Sequence, residues 1–205
     1  MNRPSKIVCV GRNYLEHARE LGNEVPERPL IFFKPPSSLV ADGEAIVLPP
    51  ESQRVEHEGE IAVVIGRRAR KVGAAEAWEY VEGIAPLNDV TARDLQKTDG
   101  QWTRAKGFDT FCPMGTVVPL GRIADRDALE VVCRVNGEVR QRGRVGEMAF
   151  NIPTLIEYIS GVMTLEPGDV IATGTPAGVG PLQPGDVVEV EIPGIGILTN
   201  PVQAA

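Results

Sequence analysis

The sequence predicts a β-rich α+β fold, and three observations carry the prediction. Apolar, β-branched runs of four to six residues recur along the chain, at 7–10 (IVCV), 61–65 (IAVVI), 131–135 (VVCRV), 169–173 (DVIAT) and 187–192 (VVEVEI). Strong turn signals separate them. Helical periodicity is scarce, with one clear segment at 153–160 (PTLIEYIS).

Taken in order, the run at 7–10 opens the chain as a strand. A short helix is expected over 14–21, with Asn13 able to cap it and Glu16 three residues on. The Pro-rich segment 26–50, containing Lys34-Pro35-Pro36, reads as an irregular connection, either a linker behind an N-terminal arm or a loop lining a site. Strand 61–65 follows, then the apolar stretch 83–87. Val135-Asn136-Gly137-Glu138-Val139 sets Asn-Gly between alternating runs, a hairpin signal because both residues tolerate the positive φ of a type I′ turn. In 153–160, Pro153 suits a first helical turn, and Leu155, Ile156 and Ile159 form an apolar stripe. Pro-Gly-Asp turns at 166–169 and 183–186 each precede a β-branched run.

Composition bounds the function. The 205 residues are 42% hydrophobic and 24% charged, enough for one domain to bury a core unaided. A net charge of -7 and a pI near 5.0 argue against general affinity for nucleic acid or anionic membranes. An anionic substrate would need a local cation. With no apolar h-region and no membrane-length apolar run, the chain reads as cytoplasmic. Cys9, Cys112 and Cys133 fit neither a disulfide framework nor a thiolate metal site, and the runs around Cys9 and Cys133 suit buried thiols. Only two histidines are present, so any metal must be held mainly by oxygen.

Residues 56–60 read Glu-His-Glu-Gly-Glu and run straight into the apolar strand 61–65. On one continuous strand Glu56, Glu58 and Glu60 share a face, about 7 Å apart in steps of two residues, and beside a buried strand they repel one another. Two meanings fit: a solvated acidic edge strand, or a cation site. Gly59 leaves the opposite face bare for close approach of other chain. Asp89, in Asn88-Asp89-Val90-Thr91-Ala92-Arg93, offers a third carboxylate at a strand-to-loop junction. Two Glu and one Asp would form a hard oxygen site for Mg²⁺ or Mn²⁺. His17 and Glu20 stand three residues apart on the short helix, either as a surface pair or as a carboxylate-backed general base. Lys106 and Arg93 are candidates for a substrate carboxylate or developing charge, and 173–180 is a Gly-rich turn presenting Thr175.

In this order, VGRNYLEHARE, VEHEGEIAVVIG, NDVTARDLQ, AKGFDTFCPMG and NIPTLIEYISGVMTLEPGDVIATGTPAGVGP resemble the fumarylacetoacetate hydrolase family. The likeness spans nearly the whole chain and is closest to short, single-core members of the FAHD1-like acylpyruvase and oxaloacetate decarboxylase type. It implies a mixed β-sandwich roll, with an N-terminal arm carrying a lid helix at 1–50, a catalytic core at 51–205 and assembly as a homodimer. It further implies that Glu58, Glu60 and Asp89 bind Mg²⁺ or Mn²⁺, that His17 and Glu20 activate water, and that Lys106 binds substrate and stabilises charge. Arg93, Gln96 and Thr175 would line the substrate site. Glu56 is an additional acid, so a register with Glu56 and Glu58 as ligands is the alternative; Glu60 is preferred because the apolar run begins immediately after it. Arg142 and Arg144 depart from the family outline. The expected reaction is hydrolysis of the carbon-carbon bond of acylpyruvates, with decarboxylation or tautomerisation of oxaloacetate on the same site. The alternatives are an isomerase of unsaturated 2-keto diacids and a non-enzymatic, metal-dependent binding module.

Overall fold

The computed structural model describes residues 3–16 and 26–205. Its strands are β1 (Ile7–Gly11), β2 (Leu30–Lys34), β3 (Leu39–Val40), β4 (Ile46–Leu48), β5 (Val55–His57), β6 (Gly59–Ile65), β7 (Val81–Asn88) and β8 (Thr91–Ala92). They continue with β9 (Cys112–Pro113), β10 (Val118–Pro119), β11 (Glu130–Val135), β12 (Glu138–Arg144), β13 (Val170–Ala172), β14 (Gly180–Pro181), β15 (Val187–Ile192) and β16 (Gly196–Ala204). Besides the helical residues Leu15 and Glu16, the described residues form α-helices α1 (Arg93–Thr98), α2 (Thr103–Gly107) and α3 (Ile152–Val162).

The strands form a six-stranded mixed sheet in the order β10-β7-β6-β13-β1-β2 and a five-stranded sheet in the order β12-β11-β15-β16-β4, beside sheets of three and two strands. Alternate residues of β6 face two different clusters: Ile61, Val63 and Ile65 meet Val131, Val188 and Val190 of the five-stranded sheet, while Ala62 and Val64 meet Ile7, Cys9 and Val170. That double burial is why 61–65 reads as a continuous apolar run rather than an alternating one. This is the β-rich architecture the residue pattern predicts, with the mixed sheet that the family resemblance implies.

Local chemistry explains the joints. Asn136 and Gly137 take φ of 54° and 79°, as the type I′ turn between β11 and β12 requires. Asn151 caps α3 by accepting the Thr154 N–H at 2.9 Å, and Leu155, Ile156 and Ile159 are buried. All three cysteines are free and buried.

The structure corrects two expectations. Residues 26–50 are not an irregular connection: β2 pairs with β1 over five residues, and β4 pairs in parallel with β16. β2 is an edge strand leaving Leu30 and Phe33 exposed, so its sequence lacks a clean period. Strand pairing thus builds the segment before residue 50 into both main sheets. Second, 56–60 is not one continuous strand, because the chain breaks at Glu58 between β5 and β6. Of the helix expected over 14–21, Tyr14 instead forms an isolated antiparallel bridge with Met148, Leu15 and Glu16 are helical, and residues 17–21, with His17 and Glu20, lie outside the described residues. Among the described residues no helix is long and apolar enough to cross a membrane.

Candidate active site

The break at Glu58 builds the site. Where β6 pairs with β7, Gly59 stands opposite Asn88 and Glu60 opposite Leu87. The Glu58 N–H donates to Asn88 Oδ1 at 2.9 Å, and the Asp89 N–H donates to the Glu58 carbonyl at 2.8 Å. Two acids thirty-one positions apart are thereby fixed at the same sheet end. Glu60, two residues on, completes a group in which one carboxylate oxygen from each residue lies within 4.8 Å of the others, all three residues being at most 4% exposed.

Three buried cations answer these acids. Lys106 Nζ donates to Glu58 Oε2 and Asp89 Oδ2, both at 2.7 Å. Lys34 Nζ donates to Asp89 Oδ1 at 2.6 Å and to the Val90 carbonyl at 3.1 Å. Arg93 divides its guanidinium: Nε to Glu56 at 2.7 Å, Nη1 to Gln96 at 2.6 Å, and Nη2 to Glu58. Burial acts against the Lys106 ammonium, but the charges of Asp89 and Glu58 outweigh it and hold its pKa above the usual value. Arg93 is likewise opposed by burial and held charged by Glu58 and Glu56.

Among the buried groups four carboxylates, Glu56 included, face three cations; a fourth cation, Arg54, reaches Glu56 from the solvent side, so the buried part of the cluster keeps an excess negative charge. It concentrates on Glu60. Its Oε2 accepts the Gly174 N–H at 2.8 Å, and it makes no ion pair among the described residues. Burial first, then Asp89 and Glu58, push its carboxyl pKa well above the carboxylate range. A group of hard oxygen donors with a charge deficit fits a divalent cation such as Mg²⁺ or Mn²⁺. Glu56 is turned elsewhere, held between Arg93 and Arg54.

A cavity of about 400 Å³ opens over the carboxylates, walled by Phe32, Trp102, Gln96 and Thr175, with Arg12 also along it. The rings of Phe32 and Trp102 meet edge-on at 5.1 Å, and the Lys106 ammonium sits 5.1 Å over Phe32. The Thr175 hydroxyl donates to the Gly59 carbonyl at 2.8 Å and accepts from Gln141 Nε2 at 2.7 Å, so its proton is already engaged. On the other side of β5 and β6, a Cβ at Gly59 would sit 2.8 Å from Cys133 Cβ. His57 is there too, its Nδ1 3.0 Å from Gln141 Oε1, and burial lowers its pKa. It belongs to this neutral network rather than to the acids.

The structure thus brings together Glu58, Glu60, Asp89, Lys106, Arg93, Gln96 and Thr175; His17 and Glu20 lie outside the described residues. Sequence reasoning missed Lys34, the pairing of Glu56 with Arg93, and the aromatic wall. The available signal for Lys34 was a lone cation closing the apolar run Leu30-Ile31-Phe32-Phe33 before a Pro-Pro break.

Comparison with known proteins follows the same lines. The model of the fumarylacetoacetate (FAA) hydrolase C-terminal domain matches residues 6–203. A protein of Arabidopsis thaliana named mitochondrial oxaloacetate tautomerase FAHD1 is 49% identical over 93% of this chain and 87% of its own length. The solved 5-carboxymethyl-2-hydroxymuconate delta-isomerase from Mycobacterium smegmatis superposes with a TM-score of 0.91 at 49% identity, covering 99% of this chain and 80% of that one. Fumarylpyruvate hydrolase from Pseudomonas aeruginosa, solved with Mn²⁺ and pyruvate, gives a TM-score of 0.93 at 32% identity, covering 98% and 91%.

Proposed function

This chain belongs to the fumarylacetoacetate hydrolase family, and we propose that it is a Mg²⁺- or Mn²⁺-dependent enzyme that hydrolyses the carbon-carbon bond of acylpyruvates and, on the same centre, tautomerises or decarboxylates oxaloacetate. The observation that carries the reading is the buried Glu58, Glu60, Asp89 group with Lys106 bridging two of its members. A divalent cation held by those three carboxylates would chelate a 2-keto acid and supply positive charge against enolate oxygen.

The residues do the rest. Lys106, kept charged by Glu58 and Asp89, orients both carboxylates and adds a second positive charge beside the reacting carbonyl. Arg93, fixed by Glu56, holds Glu58 and positions Gln96 on the cavity wall. Phe32 and Trp102 exclude water from one flank. In hydrolysis, His17 backed by Glu20 takes a proton from water as the water oxygen adds to the distal acyl carbonyl. The bond between that carbon and the pyruvate methylene then breaks, its electron pair passing into the pyruvate enolate, which is finally protonated. Oxaloacetate needs no water: loss of CO₂ or of a C3 proton gives an enolate at the same place.

The relatives named for oxaloacetate and fumarylpyruvate support this chemistry, and the Mycobacterium smegmatis neighbour favours a second reading, double-bond isomerisation of an unsaturated 2-keto diacid. Chelator-stripped protein reloaded with Mg²⁺ or Mn²⁺ should release pyruvate from acetylpyruvate and speed the enol-keto change of oxaloacetate followed by ultraviolet absorbance. His17→Ala should abolish the first and spare the second. A folded, metal-loaded protein that turns over neither substrate overturns the proposal; a double-bond shift in an unsaturated 2-keto diacid under those conditions would install the second reading.

A further inference from the structure

The cations of the site are unequally engaged. Lys34, Lys106 and Arg93 are buried against four carboxylates, and each already donates to them. None is free to receive a further anion without uncovering an acid. Arg12 lines the same cavity, is partly exposed, and has no ion-pair partner among the described residues.

Its backbone shows that the placement is built. Arg12 takes φ of 57°, a left-handed conformation uncommon outside glycine. The next residue enforces it: Asn13 Nδ2 donates to the carbonyls of Thr173 at 2.7 Å and Phe150 at 3.1 Å, and its Oδ1 accepts the Phe150 N–H at 2.9 Å. The preceding Gly11 lets β1 run close under Trp102, since a Cβ there would lie 2.9 Å from the indole. Backbone held in this way on both sides of one residue, at a cavity wall, marks a position with a task.

Charge says what the task is. The cations Lys34, Lys106, Arg93 and Arg54 are all engaged with the acids, and the charge of a divalent cation at the three carboxylates would be answered by the carboxylate of a 2-keto acid and the negative charge developing on its enolate oxygen. A second carboxylate on the substrate then has no buried partner in the cluster. We propose that Arg12 receives that distal carboxylate, making this a site for 2-keto diacids in preference to 2-keto acids with an uncharged tail. Lys97, exposed at the rim of the cavity, adds a weaker charge of the same sign. The inference deepens the function proposed above and rests on it for the placement of the 2-keto end.

The test is a selectivity ratio. In Arg12→Asn the charge is removed by a residue at home in left-handed backbone, and Arg12→Lys restores charge without the guanidinium fork. For wild type, kcat/KM should favour oxaloacetate over acetylpyruvate, and Arg12→Asn should cut that ratio by about tenfold to a hundredfold, mainly through KM. Arg12→Lys should fall between. Trp102 fluorescence, titrated with 2-oxoglutarate and with 2-oxopentanoate as unreactive probes, should show the same loss of diacid preference. An unchanged ratio in Arg12→Asn, by either readout, overturns the inference; if that variant does not fold, Arg12→Lys with the wild-type ratio does so. A wild type inactive on both substrates yet binding 2-oxoglutarate preferentially through Arg12 would sink the proposed reaction and leave this inference standing.

Discussion

Asp169 and Glu60 are buried to the same degree, 0% and 1% exposed, and have opposite electrostatics. Asp169 Oδ1 accepts from the Ser5 N–H at 3.0 Å, the Ser5 hydroxyl at 2.6 Å and the Lys6 N–H at 3.1 Å; its Oδ2 accepts the Glu166 N–H at 2.7 Å and pairs with the Lys6 ammonium. Burial acts to raise its carboxyl, but the bonds from Lys6, Ser5 and Glu166 outweigh it and hold the pKa below the usual range. Glu60 has one backbone N–H and two acidic neighbours, and its pKa goes up. The first carboxylate finds everything it needs within the chain and locks the N-terminal strand to the turn before β13. The second leaves a charge deficit that only something from outside the chain can fill. Full internal satisfaction marks a fold clamp; a maintained deficit marks a site.

The sharpest way to break the contrast is to neutralise the unsatisfied acid. Glu60→Gln should weaken Mn²⁺ binding on the order of a hundredfold, read by calorimetric titration, and abolish turnover. In chelator, the same variant should melt no lower than wild type, because the neutral amide replaces a carboxyl that burial and its two acidic neighbours already drive toward the neutral form. A variant that binds Mn²⁺ normally, or that melts far below wild type, would place Glu60 with Asp169 as a structural acid.

Asp169→Ala tests the other half. It strands the N–H groups of Ser5, Lys6 and Glu166 and should cost about 3 kcal/mol in urea unfolding, with metal affinity unchanged in the folded fraction. A loss below about 1 kcal/mol would show that the clamp is dispensable.

Gly59 shows where sequence reading succeeds and where it stops. A glycine between two acids announced a bare face, and Cys133 of β11 occupies it, so Gly59→Ala should cost about 2 kcal/mol by overpacking, measured by thermal melting with and without Mn²⁺. Glu58, Glu60 and Asp89 were legible for a related reason: acids abutting buried apolar strands are a local conflict that pattern alone exposes. Lys34 and Glu56 were not, because their meaning lies in partners 55 and 37 positions away, and no local period encodes a tertiary pairing. β2 was missed since an edge strand half open to water alternates weakly, and α1 and α2, at six and five residues with no side-chain caps, offer too little periodicity to read.

The smallest predicted effect separates the charge of the Asp169 clamp from its hydrogen bonds. Lys6 is 20% exposed in its side chain, so Lys6→Ala should cost only about 1 kcal/mol near pH 7, the backbone donors to Asp169 remaining. Its pH course has a definite sign. Because the folded-state pKa of Asp169 is depressed, its stabilisation is fully present above the unfolded value of about 3.9 and disappears as pH falls through the lower folded value. The gap between wild type and Lys6→Ala should therefore stay level from pH 7 to about 5 and close below about 4, in urea titrations run in chelator. A gap that closes instead on raising the pH would mean the Lys6 contribution comes from some group other than Asp169, and the clamp would reduce to its backbone hydrogen bonds.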